Sequence, residues 1–218
     1  MKTLYLRTQI IILAVLLSFS LADQIAAQPA DAGGLACNFV GRAYFDPGSG
    51  QIQAAGYYTD ITGIAGPLFS GAPSEQSAFF TFRSDVFQLT PLPANGDLQL
   101  FLGASGAFAI YFNSSPIGNW DNPDSFSSGQ PIAVFNRAEF LDLLFGQTGE
   151  HQHMIREDLA STQPFVFNGR NYDFKRIVQG GLTLFNFISN TPLPGISGFP
   201  VVLPYAGSCI AVAAADGR

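Results

Sequence analysis

Only two histidines are available to this 218-residue chain, and they stand two residues apart in Glu150-His151-Gln152-His153. On a strand, positions i and i+2 share a face, so both imidazoles could bind one metal ion. A catalytic metal site would add a third ligand, either Glu150 or a distant Asp. His-x-His alone is a weak metal signature. The expectation is therefore two solvated histidines on a polar loop, with no metal and no cofactor. Asp121-Asn122-Pro123-Asp124 offers two carboxylates that could serve an oxygen-ligated Ca2+, but Asp and Asn beside Pro are ordinary turn formers. Phosphate-cradling loops, a Gly-x-Ser-x-Gly elbow and Cys-x-x-Cys are all absent from the sequence, which leaves P-loop, dinucleotide and nucleophile-elbow chemistry without their parts.

A second set of candidates comes from strand alternation. In Asn38–Asp46, Phe39, Gly41, Ala43 and Phe45 fall on one side, and Val40, Arg42 and Tyr44 on the other. Arg83 and Tyr111 occupy the corresponding less apolar face of two later segments. If that face lines a barrel, Arg42, Tyr44, Arg83 and Tyr111 would orient a small ligand in an aromatic lumen; if it meets water, they are plain solvated residues. Trp120, the one indole of the chain, lies in the long polar segment Pro116–Gln130, which is long enough to act as a lid over a mouth. The five residues Arg42, Tyr44, Arg83, Tyr111 and Trp120 form the expected ligand-binding set.

The elements that must position these residues read as strands. Charged residues make up 12% of the chain, about half the usual share, while Phe reaches 21 residues and Gly 23; few charges, many aromatics and many turns point to an all-β protein. Asp46-Pro47-Gly48-Ser49-Gly50 turns a first hairpin into Gln51–Ile61. Asn95-Gly96 and Asn168-Gly169 are two-residue hairpin signals. Strand segments recur at short intervals, nine to eleven in all, which argues for antiparallel pairing. Asn136-x-x-Glu139 reads as a capping box, and Phe140, Leu141, Leu144 and Phe145 as the apolar stripe of one short helix near 137–145, stopped by Gly146. The segment 147–161 fits either a loop or a short helix. The fold expected is an antiparallel β-barrel, calycin-like or similar, with a two-sheet β-sandwich as the alternative. In architecture the profile resembles calycin-like and allene-oxide-cyclase-like barrels; the resemblance rests on no shared motif and carries no site residue over.

Residues 1–27 read as a secretory signal. Lys2 and Arg7 precede an apolar run from Ile10, and small residues allow cleavage after Ala22 or Ala27. Residues 28–36 follow as a flexible leader, 37–214 as a single β domain and 215–218 as a tail. No later window is long and apolar enough for a membrane span once the signal is removed. The protein is expected to be secreted or periplasmic. In that compartment its two cysteines, Cys37 and Cys209, would form one disulfide and bring the first and last strands together. A formal net charge of −6 without a basic cluster argues against nucleic acid as a partner. The function expected is binding of a small apolar or aromatic molecule. The alternatives are a cyclase or isomerase on the same barrel, needing neither metal nor covalent nucleophile, and an extracellular surface or interaction protein.

Overall fold

The computed structural model describes residues 30–214; the expected signal sequence and C-terminal tail lie outside them. Twelve strands are present in this range: β1 Leu35–Asp46, β2 Gln51–Ile61, β3 Phe80–Ser84, β4 Phe87–Pro91, β5 Leu98–Gly103, β6 Ala107–Phe112, β7 Gln130–Phe145, β8 His151–Thr162, β9 Phe165–Phe167, β10 Arg170–Tyr172, β11 Gly181–Ile188 and β12 Val201–Val212. β3 and β4 share one place in the sheet, since both pair with β2. β5 and β6 share another, since both pair with β7. The result is an eight-position antiparallel meander that closes where β1 meets both β2 and β12. Closure removes the sheet edges that an open meander would expose.

Alternation dictates what fills the barrel. Phe39, Phe80, Phe82, Phe108, Phe135, Leu182, Leu184 and Tyr205 are buried in one cluster. Glycines on the facing strands make room for them. A Cβ at Gly41 would run into the ring of Tyr205, and one at Gly56 would meet Phe82 and the backbone of β1. Cys37 and Cys209 face each other in the β1–β12 register and are bridged, with Cα atoms 4.9 Å apart. The expected disulfide and the expected contact between first and last strands are both present.

The two ends of the barrel differ. The connection from β8 to β11 carries the β9–β10 hairpin and a four-residue helix, α1 (Phe174–Ile177), capped by the Asp173 side chain, which accepts from Lys175 N at 2.9 Å. Phe165, Phe167, Tyr172 and Phe174 from this excursion pack with Phe80 and Phe112 and plug one end; Phe80 and Phe167 lie 5.0 Å apart edge to face. Asn168-Gly169 forms the hairpin turn, both residues at positive φ. Ala30 N donates to Ile177 O, and Gly33 N to Ala211 O, so the described part of the expected leader is bonded to this closed end. The opposite end is ringed by the turns after β1, β4, β7 and β11 and stays open.

The short helix of the fold is α1; the expected helix near 137–145 is instead the second half of β7. Its apolar run looked helical because both strand faces are apolar there. Leu141 and Leu143 lie on the outer side, while Phe140 and Leu144 face inward with Asp142 between them. A β-bulge between Arg137 and Glu139 breaks the two-residue period as well. The ambiguous segment 147–161 supplies β8. Among the described residues no helix is long and apolar enough to cross a membrane.

Candidate functional site

Arg42, Tyr44, Arg83, Tyr111 and Trp120 all lie outside the barrel lumen, on its outer wall or the loop covering it. The loop after β6 leaves from the closed end and folds back over the β1–β2–β3 wall, so it is not a lid on the open mouth. Trp120 packs at a tilt against Phe126 with centroids 4.8 Å apart, and the Arg42 guanidinium lies 4.5 Å above the indole. Tyr44 is fully buried under this loop and donates its hydroxyl to Trp120 O at 2.9 Å; burial pushes its pKa up. Thr81 Oγ1 donates to Phe126 O at 2.6 Å, and Arg83 pairs with Asp124. Four of the five residues therefore latch the loop to the wall, or are latched by it. Tyr111 stands beside Thr81 in the β3–β6 register and takes no part. Asp124, half of the possible calcium pair, is engaged by Arg83.

A different group meets inside the open end. β7 and β8 form a hairpin whose register sets Asp142 opposite His153 and Leu144 opposite His151. All three polar side chains therefore point inward. His151 Nδ1 lies 3.1 Å from each carboxylate oxygen of Asp142, and His153 Nε2 lies 3.2 Å from Oδ1. Asp142 is 1% and His153 7% exposed, so the expectation of two solvated histidines on a loop is overturned. Burial alone would raise the Asp142 pKa; hydrogen bonding and charge from the two histidines outweigh it and bring the pKa down to about 2.

These residues line a pocket of about 440 Å3 in the open mouth, otherwise walled by Phe45, Ile52, Leu89, Phe101, Ile188 and Leu203. Next to it lies a smaller cavity of about 30 Å3, enough for about two water molecules. Ala43, Ile52 and His153 line both spaces. The smaller cavity continues the polar wall with Asn186, the β11 neighbour of His153, and with Arg137 and Glu157, register partners on β7 and β8. Arg137 Nε stands 3.7 Å from Glu157 Oε1, and its guanidinium lies 4.0 Å over Phe87. Burial pushes Glu157 up to about 7 against the opposing pull of Arg137, and it lowers Arg137. Glu157 Oε2, Arg137 Nε and Asn186 Oδ1 are buried without a hydrogen-bond partner within the protein.

The polar groups thus form a stripe on the β7–β8–β11 wall, and the β1–β2–β4 wall opposite is apolar. Such a site can grip the polar end of an apolar molecule. The residue that sequence reasoning missed is Asp142. Its signal was a lone carboxylate inside an apolar run, nine residues before His151 and joined to it by a glycine-containing turn. Compared with protein-family models, with curated proteins and with solved structures, the chain matches none.

Proposed function

We propose that this protein is an exported barrel that binds a small, mainly apolar molecule in its open mouth, with the polar end of the ligand directed to Asp142, His151 and His153. The observation that carries this reading is the 440 Å3 pocket, whose apolar walls converge on one polar cluster. That volume is in the range of small-molecule sites. The disulfide supports an oxidising compartment.

The enzyme alternative draws on the same cluster, because a buried carboxylate orienting an imidazole is how a general base is built. The interaction-protein alternative draws on Met154, Phe185 and Phe187, exposed apolar side chains on the outer wall of β8 and β11. Titration with the fluorescent apolar dye anilinonaphthalenesulfonate separates the first reading from the third. Val201 borders the pocket, and Val201→Trp should push an indole into it and narrow the mouth. The variant is expected to bind the dye at least about tenfold more weakly at an unchanged melting temperature. Equal affinity in both proteins would place the dye elsewhere and overturn the pocket reading.

A further inference from the structure

The Asp142–His151–His153 cluster has a geometry that a plain hydrogen-bond network does not require. His151 Nδ1 is equidistant from the two Asp142 oxygens at 3.1 Å, so no single oxygen is favoured as its partner. One ligand atom from each of Asp142, His151 and His153 lies within 4.8 Å of the other two. Ligands about 2.0–2.2 Å from a zinc-sized ion sit roughly 3–3.5 Å apart, so the two carboxylate–imidazole spacings already fit, and the imidazole–imidazole separation must close by up to about 1.3 Å to surround one.

The positions are fixed by backbone rather than by flexible loops. His151 and His153 share one strand face, and the β7–β8 register places Asp142 opposite His153. Beyond them Asn186, next to His153 in the β8–β11 register, is buried with its Oδ1 unpartnered. It is an acceptor on the strand beside His153, which one bridging water could connect to the second ring N–H, as outer-shell groups of metal-bound histidines are connected.

We propose that Asp142, His151 and His153 hold one divalent transition-metal ion at the barrel mouth. Two imidazoles and one carboxylate favour Zn2+, Co2+ or Fe2+ over the oxygen-seeking Ca2+ and Mg2+. Three protein ligands leave coordination open, and the open side faces the apolar pocket. A pocket ligand carrying a carboxylate or carbonyl oxygen would complete the shell. The ion site itself rests on the three donors, and it stands or falls separately from the pocket's apolar occupant.

The test uses tag-free, disulfide-intact protein stripped with chelator and titrated with Zn2+ by calorimetry and with Co2+ by visible absorption, with Ca2+ as the control. One equivalent of Zn2+ should bind per chain, and Co2+ should give ligand-field bands. His151→Ala, at the more accessible position, should weaken Zn2+ by more than about a hundredfold, beyond the typical loss from one outer-shell partner, while circular dichroism and the closed disulfide show that the variant still folds. Asp142→Asn tests the carboxylate in the same way; if it fails to fold, His151→Ala and His153→Ala carry the test. Absence of stoichiometric Zn2+ binding, or unchanged affinity in His151→Ala, would overturn the site. Dye binding without Zn2+ binding would refute the ion and leave the pocket; the reverse would refute the pocket and leave the ion.

Discussion

Glu157 gives the sharpest test of the lumen's electrostatics. It is 2% exposed, and burial moves its carboxyl from the ordinary 4.5 to about 7, with Arg137 opposing the rise. The folded state therefore holds a proton that the unfolded chain has released between those two values. Stability contributed by this group is complete below about pH 4.5 and is lost as pH rises through about 7. The pKa difference corresponds to about 3 kcal/mol. Other charged or titratable groups bear on the same space: Arg137 on β7, Asp158 beside Glu157 on β8, Tyr58 on β2, Tyr205 on β12, and His153, which lines the same cavity. Comparison with Glu157→Gln cancels their contributions. At pH 4.5 both proteins present a neutral side chain to Arg137, and only the native residue ionises above it. Urea unfolding at 25 °C with the disulfide intact, from pH 4.5 to pH 8, should show the stability difference moving by about 3 kcal/mol in favour of the glutamine variant. Curves that stay parallel within about 1 kcal/mol would mean that water in the 30 Å3 cavity already solvates the carboxylate, and the burial argument would be wrong.

Denatured, non-reduced protein should show no free thiol, and reduction of the Cys37–Cys209 bridge, 172 residues apart, should cost up to about 5 kcal/mol by the chain-entropy account, read from the unfolding midpoint. Trp120→Ala should destabilise the fold by up to about 3 kcal/mol, less than a fully buried indole would, and should leave dye affinity at the mouth within about twofold; a larger binding loss would return the loop to a ligand role. Gly41→Ala should cost about 1–3 kcal/mol through collision with Tyr205, and Tyr205→Leu in the same chain should recover part of it, a coupling measured by a double-mutant cycle.

Much of the barrel was legible because its local signals agreed. The Gln51–Ile61 strand, the Asn168-Gly169 turn and the alternation in β1 and β6 follow from backbone conformation and side-chain period, whereas the turn near Asn95 is centred one residue later, on Gly96-Asp97. Failure concentrated on β7, where a bulge and a doubly apolar run mimicked a helix with a cap at Asn136. That one misreading hid the site, because Asp142 reaches the histidines only if residues on both sides of the 146–150 turn are strands. The set Arg42, Tyr44, Arg83, Tyr111 and Trp120 came to lie outside the lumen for another reason. Alternation told which residues share a face, but it did not tell which face turns inward. The more apolar side of each strand went to the lumen, and Arg42, Tyr44 and Arg83 were left to hold a loop.

The same interior contains two solutions to filling a barrel. At the closed end Phe165, Phe167, Tyr172 and Phe174 complete an aromatic plug, and the Tyr172 hydroxyl accepts from Ala65 N at 3.1 Å. From the open end inward the chain places Asp142, His153, Asn186, Arg137 and Glu157 on one wall, at positions where well-packed apolar side chains would be neutral or stabilising. Several of their atoms lack protein partners, so those groups gain no hydrogen bond within the fold to offset their burial. A requirement of folding alone would not separate the two ends in this way, because the plug demonstrates that the chain can close a barrel with Phe and Tyr. The polarity is also directional. It begins at the mouth with His151 and runs inward on the β7–β8–β11 wall, facing an apolar wall across the pocket. That asymmetry is what a site needs in order to orient a molecule with one polar end, and it is the physical ground for placing function at the open mouth rather than under the Trp120 loop.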